Sequence, residues 1–218
     1  MHVLRTILHK FLNRMVLVET LAATAIAVGL VYCTWHFFYY YYLPQPFFYE
    51  PADIFADWFN TAYWARDPGT YDVWKTLYPP ISFVFLRIFG IDSCYPKLRP
   101  YLTQDLSPGL AARECDWIGL AALAIIFFVN LFLIYRVFRR WDRKTAVQRT
   151  ICLGLGLPML DGLERGNLVL VSFMLLLLAF APLVRSAWVR WLCAGAMVNF
   201  KVYLIAPILA LLLKRRWQ

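Results

Sequence analysis

The chain has 218 residues, 61% of them hydrophobic and 16% charged, with a formal charge of +9. That is too apolar for a soluble domain and fits an integral membrane protein, in which a basic excess marks cytoplasmic loops. No basic stripe on a soluble face is visible, so no nucleic-acid partner is implied.

Residues 1–15 carry Arg5, Lys10 and Arg14 and no acid. Val16 to about Leu43 is the first expected span. Its apolar run is too long for a signal peptide and lacks a clear small-residue cleavage site, so it reads as an uncleaved anchor. Tyr32, Trp35 and the run from Phe37 to Tyr42 crowd its far end, as an interfacial aromatic belt does. Residues 44–80 are polar and Pro-punctuated, with Glu50, Asp53, Asp57, Asp67 and Asp72 against Arg66 and Lys75. An acidic loop after a basic N-terminus places the N-terminus in the cytoplasm and this loop outside. Within it, Asp53 to Ala65 has helical spacing of Ile54, Phe55, Trp58, Phe59, Ala62 and Tyr63. It is expected to form an amphipathic helix lying on the membrane.

Ile81–Ile91 is apolar but about 16 Å long as a helix, too short for an ordinary span. Arg87 interrupts it, and it reads as re-entrant, interfacial or a short helix in a thinned region. Residues 92–115 form a second polar loop. It holds Cys94 and Cys115, which are expected to lie close enough for a disulfide if the loop is outside the reducing cytosol. Asp116–Phe138 is a full-length apolar segment. It ends in Arg136, Arg139, Arg140, Arg143, Lys144 and Arg149 with only Asp142 opposing, the strongest cytoplasmic signal in the chain. Ile151–Leu163 and Leu168–Leu183 are apolar arms around Asp161-Gly-Leu-Glu-Arg-Gly-Asn167, a composition that favours a tight turn between two short helices. Trp191–Leu213 then runs to the basic residues 214–216. It either spans once or turns near Asn199–Lys201, and the positive-inside rule favours the turn.

The expected fold is therefore all-α: a polytopic integral membrane helical bundle with short re-entrant or hairpin helices and an external amphipathic loop helix. It is read as one transmembrane domain over 1–218. The parts are a first span over 16–43, an external region over 44–115, a span over 116–138, a helical hairpin over 150–184, and a hairpin or single span over 191–213.

On this topology Asp53, Asp57, Tyr78, Glu164, Arg165, Asn167 and Lys201 all reach the external face. Ionised side chains are costly near hydrocarbon, so several at breaks in apolar runs suggest a shared site. A carboxylate there can act as general base toward a hydroxyl. Arg and Lys can hold a phosphate, Arg with a planar fork and Lys as a point charge. Glu164 could orient Arg165, and Asn167 could bind a sugar hydroxyl. Each residue also has a plainer reading. Asp53 and Asp57 serve as loop acids or helix caps, Tyr78-Pro79-Pro80 as a helix start, Glu164-Arg165 as an ion pair at a hairpin tip, and Lys201 as a snorkelling side chain. His2, His9 and His36 have no partner at metal-ligand spacing, so no metal site is expected. The chain carries no Gly-rich phosphate loop, nucleophile elbow or Cys-x-x-Cys.

The string Asp57-Trp-Phe-Asn-Thr-Ala-Tyr-Trp-Ala, followed by Gly69-Thr-Tyr71 and Tyr78-Pro79-Pro80, resembles the first external loop of multi-pass glycosyltransferases with the C-type fold. It is most similar to the bacterial polyprenol-phosphate-mannose-dependent mannosyltransferases. Glu164-Arg165-Gly166-Asn167 before Leu168-Val-Leu resembles a helix start of that superfamily. Asn199-Phe-Lys201-Val-Tyr203 with Lys214-Arg215-Arg216-Trp217 resembles its Lys-Pro-Tyr-apolar-Arg-Arg-Trp segment, with Val202 where the family has Pro. The resemblance implies transfer of a hexose, in the first instance mannose, from a polyprenyl-phosphate donor to a hydroxyl acceptor. Asp57 would be the catalytic base supported by Asp53, with Lys201 contacting the lipid phosphate. No cofactor is implied. The implied location is the bacterial inner membrane, with the site external. Members of that family are typically nearly twice this long, which leaves room for a second subunit completing the fold. The alternatives are a non-enzymatic lipid-phosphate or glycolipid carrier, as in an export complex, and an inactive fragment of such an enzyme.

Overall fold

The structure is a computed structural model that describes the backbone of residues 2–47, 53–97 and 107–213, and the side chains of all of these but 2–14, 211 and 212. The basic run 214–216, Glu50 and the middle of the second polar loop lie outside the described residues. Nine α-helices occur among the described residues, and no strand. They are α1 (His2–Tyr40), α2 (Ala56–Trp64), α3 (Pro80–Ile88), α4 (Trp117–Trp141), α5 (Ala146–Gly154), α6 (Leu157–Glu164), α7 (Val169–Phe180), α8 (Ala187–Phe200) and α9 (Ala206–Leu213). Where one transmembrane domain is read from the sequence, the chain groups into two compact units, residues 1–51 with 131–160, and residues 52–130 with 161–218.

Among the described residues two helices are long and apolar enough to cross a bilayer, Met15–Tyr40 within α1 and Trp117–Trp141. In α1 the large apolar side chains Leu17, Val18, Leu21, Val28, Val31 and Phe38 are all exposed. An apolar face of that extent is stable against hydrocarbon and costly against water. Thr20, Thr24 and Thr34 hide their hydroxyls by donating to carbonyls one turn back, each at 2.8 Å. Tyr32, Trp35 and Tyr39 stack along the far end.

In the first unit α1 packs against α5. The one acid of the α1 apolar stretch, Glu19, accepts from Arg149 Nε at 3.0 and 3.1 Å and from Nη2 at 3.0 Å. Both side chains are largely covered, and a paired charge is what such an environment tolerates. The chain breaks between α5 and α6, a break not read from the sequence. A side chain at Gly156 would strike the Cys152 carbonyl, and Pro158, second residue of α6, supplies no N–H to continue the α5 ladder.

In the second unit α2 differs from its expected form. Trp58 through Tyr63 are six consecutive buried residues, so α2 is a buried helix and not an amphipathic one on the membrane surface. Its polar positions are accommodated by partners. The Asn60 side-chain carbonyl accepts from Gly109 N at 3.1 Å, and Gly109 packs so closely on the Phe59 backbone that any side chain there would collide with it. Trp58 meets Phe85 of α3 edge-on at 6.0 Å, and Phe85 meets Phe200 of α8 at 5.2 Å. α3 is only nine residues, begins at Pro80 as Pro-Pro suggests, and is about 13 Å long. It is a short helix that cannot itself cross a bilayer. α7 packs against α8, and Arg190 Nε caps the end of α7 through the Ala179 carbonyl at 2.7 Å.

The second polar loop is tied down at its ends. Cys94 and Cys115 form a disulfide with Cα atoms 5.5 Å apart, as expected from the sequence. Beside it Asp116, fully buried, heads α4. One of its oxygens accepts from Gly119 N at 3.0 Å and Ile91 N at 3.1 Å, the other from the Tyr95 hydroxyl at 2.6 Å. Three donors offset the cost of burying the carboxylate, and the first of them is an N-cap bond.

Candidate functional site

The start of α2 and the turn after α6 are held together by main chain. Phe55 N donates to the Glu164 carbonyl at 2.6 Å and Asp57 N to the Arg165 carbonyl at 2.9 Å. The turn is a Schellman cap. Gly166 N donates to Leu163 O at 2.9 Å and Asn167 N to Gly162 O at 2.8 Å. Such a cap requires one left-handed residue, and Gly166 has φ +65°. A Cβ on Gly166 would lie 2.8 Å from Trp58 Cβ and 3.2 Å from Phe55 Cα. Glycine here serves both the turn and the close approach of the two segments.

That approach delivers side chains from both segments to one point. Arg165 Nε donates to Asp57 Oδ2 at 3.2 Å, Arg165 Nη2 to Oδ1 at 3.4 Å, and Asn167 Nδ2 to Oδ2 at 2.6 Å. The Asn167 carbonyl oxygen in turn accepts from Val169 N at 2.9 Å, fixing the amide at the head of α7. The Asp57 side chain is 23% exposed and that of Arg165 43%, so the pair is within reach of a ligand. Glu164 is buried and lends its main-chain carbonyl to the site.

Two further residues complete the cluster. Lys201, at the break where α8 ends, donates from Nζ to the Tyr78 hydroxyl at 3.2 Å and lies 4.5 Å from the ring centroid. The helix is interrupted at Lys201, between α8 and α9, and this break puts the ammonium on the phenol. Both Tyr78 and Lys201 feel the charges of Asp57 and Arg165. Burial pushes the Tyr78 phenol above its ordinary range, the Asp57 carboxylate adds to this, and hydrogen bonding from Thr61 opposes it. The phenol is thus neutral at physiological pH. Thr61, fully buried one turn after Asp57, is missed by the sequence reading, although the i, i+4 spacing is its signal.

Asp53 does not share a helix face with Asp57. Phe55 adopts the left-handed conformation, φ 65°, and α2 begins only at Ala56. Asp53 lies before that turn and is exposed. The expected two-carboxylate pair is replaced by one carboxylate facing an arginine and an amide. Among the described residues no cluster of three or more His, Cys, Asp or Glu is placed to hold a metal ion.

What the site offers chemically is one carboxylate, a guanidinium, an amide, a phenol and an ammonium, brought from four separate segments of the chain. Comparison with family models, characterised proteins and solved structures finds no match.

Proposed function

We propose that the chain is a membrane glycosyltransferase that moves a hexose, mannose in the first instance, from a polyprenyl-phosphate donor to a hydroxyl acceptor. The observation that carries this reading is the Asp57–Arg165–Asn167 cluster with Lys201–Tyr78 beside it. It combines a base with two cations suited to a phosphate and with neutral groups suited to sugar hydroxyls. Asp57 takes the acceptor proton. The acceptor oxygen attacks the anomeric carbon as the bond from that carbon to the phosphate oxygen breaks. Polyprenyl phosphate leaves, and the anomeric centre inverts. Arg165 and Lys201 stabilise the charge that develops on the leaving phosphate, an effect strengthened in a poorly hydrated site.

In the ligand-free site Arg165 and Asn167 occupy both Asp57 oxygens, and a donor phosphate drawing Arg165 toward itself would free the base. The Cys94–Cys115 disulfide belongs to the same compact unit and persists in an oxidising compartment, which supports an external site in a bacterial inner membrane.

A second reading is a non-enzymatic lipid-phosphate carrier. The observation favouring it is the same occupancy of Asp57, which reads equally as a latch closing a phosphate site. The two separate on the purified chain in nanodiscs, given a radiolabelled polyprenyl-phosphate hexose and a membrane glycolipid extract. Transfer with inverted anomeric configuration supports the enzyme. Saturable donor binding without transfer supports the carrier.

A further inference from the structure

The far end of α4 carries a feature that sugar transfer does not use. Arg136, Arg139 and Arg140 follow the i, i+3, i+4 pattern of one helix face, Arg143 lies in the turn just past the helix end, and together the four line a single cavity of about 520 Å³. All four are exposed. Among the described residues none is ion-paired with a carboxylate. The nearest acid in sequence, Asp142, instead accepts from Lys144 N at 2.9 Å and from the Thr145 hydroxyl at 2.8 Å. Two of the guanidinia rest on aromatic rings one turn back, Arg136 over Phe132 at 5.7 Å and Arg139 over Tyr135 at 5.9 Å. Four like charges around one space repel unless an anion sits among them.

Depth identifies the anion. A bilayer core of about 30 Å takes roughly 20 helical residues. Counted from Trp117, that length ends at Arg136. From there to the helix end at Trp141 is about 8 Å, the thickness of a headgroup layer. Trp141 is itself exposed, where interfacial tryptophans sit. The guanidinia of Arg136, Arg139 and Arg140 thus fall at the level of the lipid phosphates, and Arg143, lining the same cavity, joins them from the turn past the helix end.

We propose that this arginine cavity binds the phosphate headgroup of an anionic phospholipid in the adjoining leaflet. The site needs only that α4 crosses the membrane, and it stands whether or not the chain transfers a sugar. Guanidinium forks suit phosphate oxygens, and each basic side chain near an anionic surface adds about fivefold in affinity.

The test uses the full purified chain in detergent, offered phosphatidylglycerol or phosphatidylcholine, with retained lipid counted by native mass spectrometry. The parent should retain phosphatidylglycerol at least tenfold over phosphatidylcholine. Arg139→Gln with Arg143→Gln should remove at least tenfold of that preference. Arg87→Gln with Lys97→Gln deletes the same charge elsewhere and should leave it intact. Equal retention of the two lipids by the parent would overturn the proposal. So would equal losses from the two double variants, which would mean that net charge alone attracts the lipid. Displacement of bound lipid by excess glycerol phosphate would assign the cavity to a soluble phosphate and overturn the lipid assignment. The substituted side chains are exposed, and the parent-only comparison needs no variant to fold.

Discussion

Gly166→Ala strikes the turn that builds the site. At φ +65° an alanine is in the left-handed region, a cost of about 1–2 kcal/mol. Its Cβ would sit 2.8 Å from Trp58 Cβ, about 1 Å inside an ordinary carbon contact. Trp58 is only 1% exposed, and the other neighbour is the Phe55 main chain, so neither yields freely. Overpacking of that kind adds about 1–3 kcal/mol. The sum is about 2–5 kcal/mol, against a stability of about 5–15 kcal/mol for a typical domain. At about 2–4 °C per kcal/mol for a chain this size, Tm should fall by roughly 4–20 °C. Gly195→Ala is the matched control. It lies inside α8 with no atom within 4 Å of the added Cβ, so it should hold or raise Tm, because alanine favours a helix interior by about 0.5–1 kcal/mol. Differential scanning fluorimetry on both variants reads the difference. If Gly166→Ala melted with the parent, the Schellman turn and its contact with α2 would be wrong, and with them the geometry that brings Arg165 to Asp57.

The Cys94–Cys115 bond closes a loop of sequence separation 21, so Cys94→Ser with Cys115→Ser should lower stability by about 3 kcal/mol. A reductant should destabilise the parent but not the double variant in thermal melts, and an unaffected parent would contradict the bond. Arg165→Lys keeps the charge but loses the planar fork. It should weaken polyprenyl-phosphate binding at least about tenfold by calorimetry, and parental affinity would remove Arg165 from the phosphate site. Asp53→Asn, exposed and outside α2, should leave transfer within about twofold, since surface changes of this kind are usually small. A loss as deep as that of Asp57→Asn in the same transfer assay would restore Asp53 as a partner of the base.

Much of the site was legible because charge in an apolar sequence is conspicuous. Asp57, Arg165, Asn167, Tyr78 and Lys201 all stood at breaks in apolar runs, and the structure brings them together. Glu-Arg-Gly-Asn was readable as a turn because glycine after a helix is the usual left-handed residue. The form of α2 was not readable. Its apolar spacing gives a helix, but burial on all sides depends on what arrives from elsewhere, such as Gly109 against Phe59. Nor does any local signal place Phe55 in a left-handed conformation, since no glycine or asparagine stands there. The Asp53–Asp57 pairing failed on that one dihedral. The burial of Asp116 and the Glu19–Arg149 pair escaped notice for a related reason, because Ile91 lies 25 residues from Asp116, and Arg149 lies 130 from Glu19, in sequence.

The most direct test measures transfer and donor binding in the same preparation for the parent and Asp57→Asn. The asparagine keeps the size of the side chain and removes its basicity. General-base catalysis contributes about 10²–10⁴-fold, so transfer from a radiolabelled polyprenyl-phosphate hexose should fall at least about a hundredfold. Donor affinity should be no lower than the parent's, because the carboxylate that competes with the phosphate for Arg165 is gone. Asp57→Asn turning over at the parental rate, or a parent that binds donor and transfers nothing, would contradict the account.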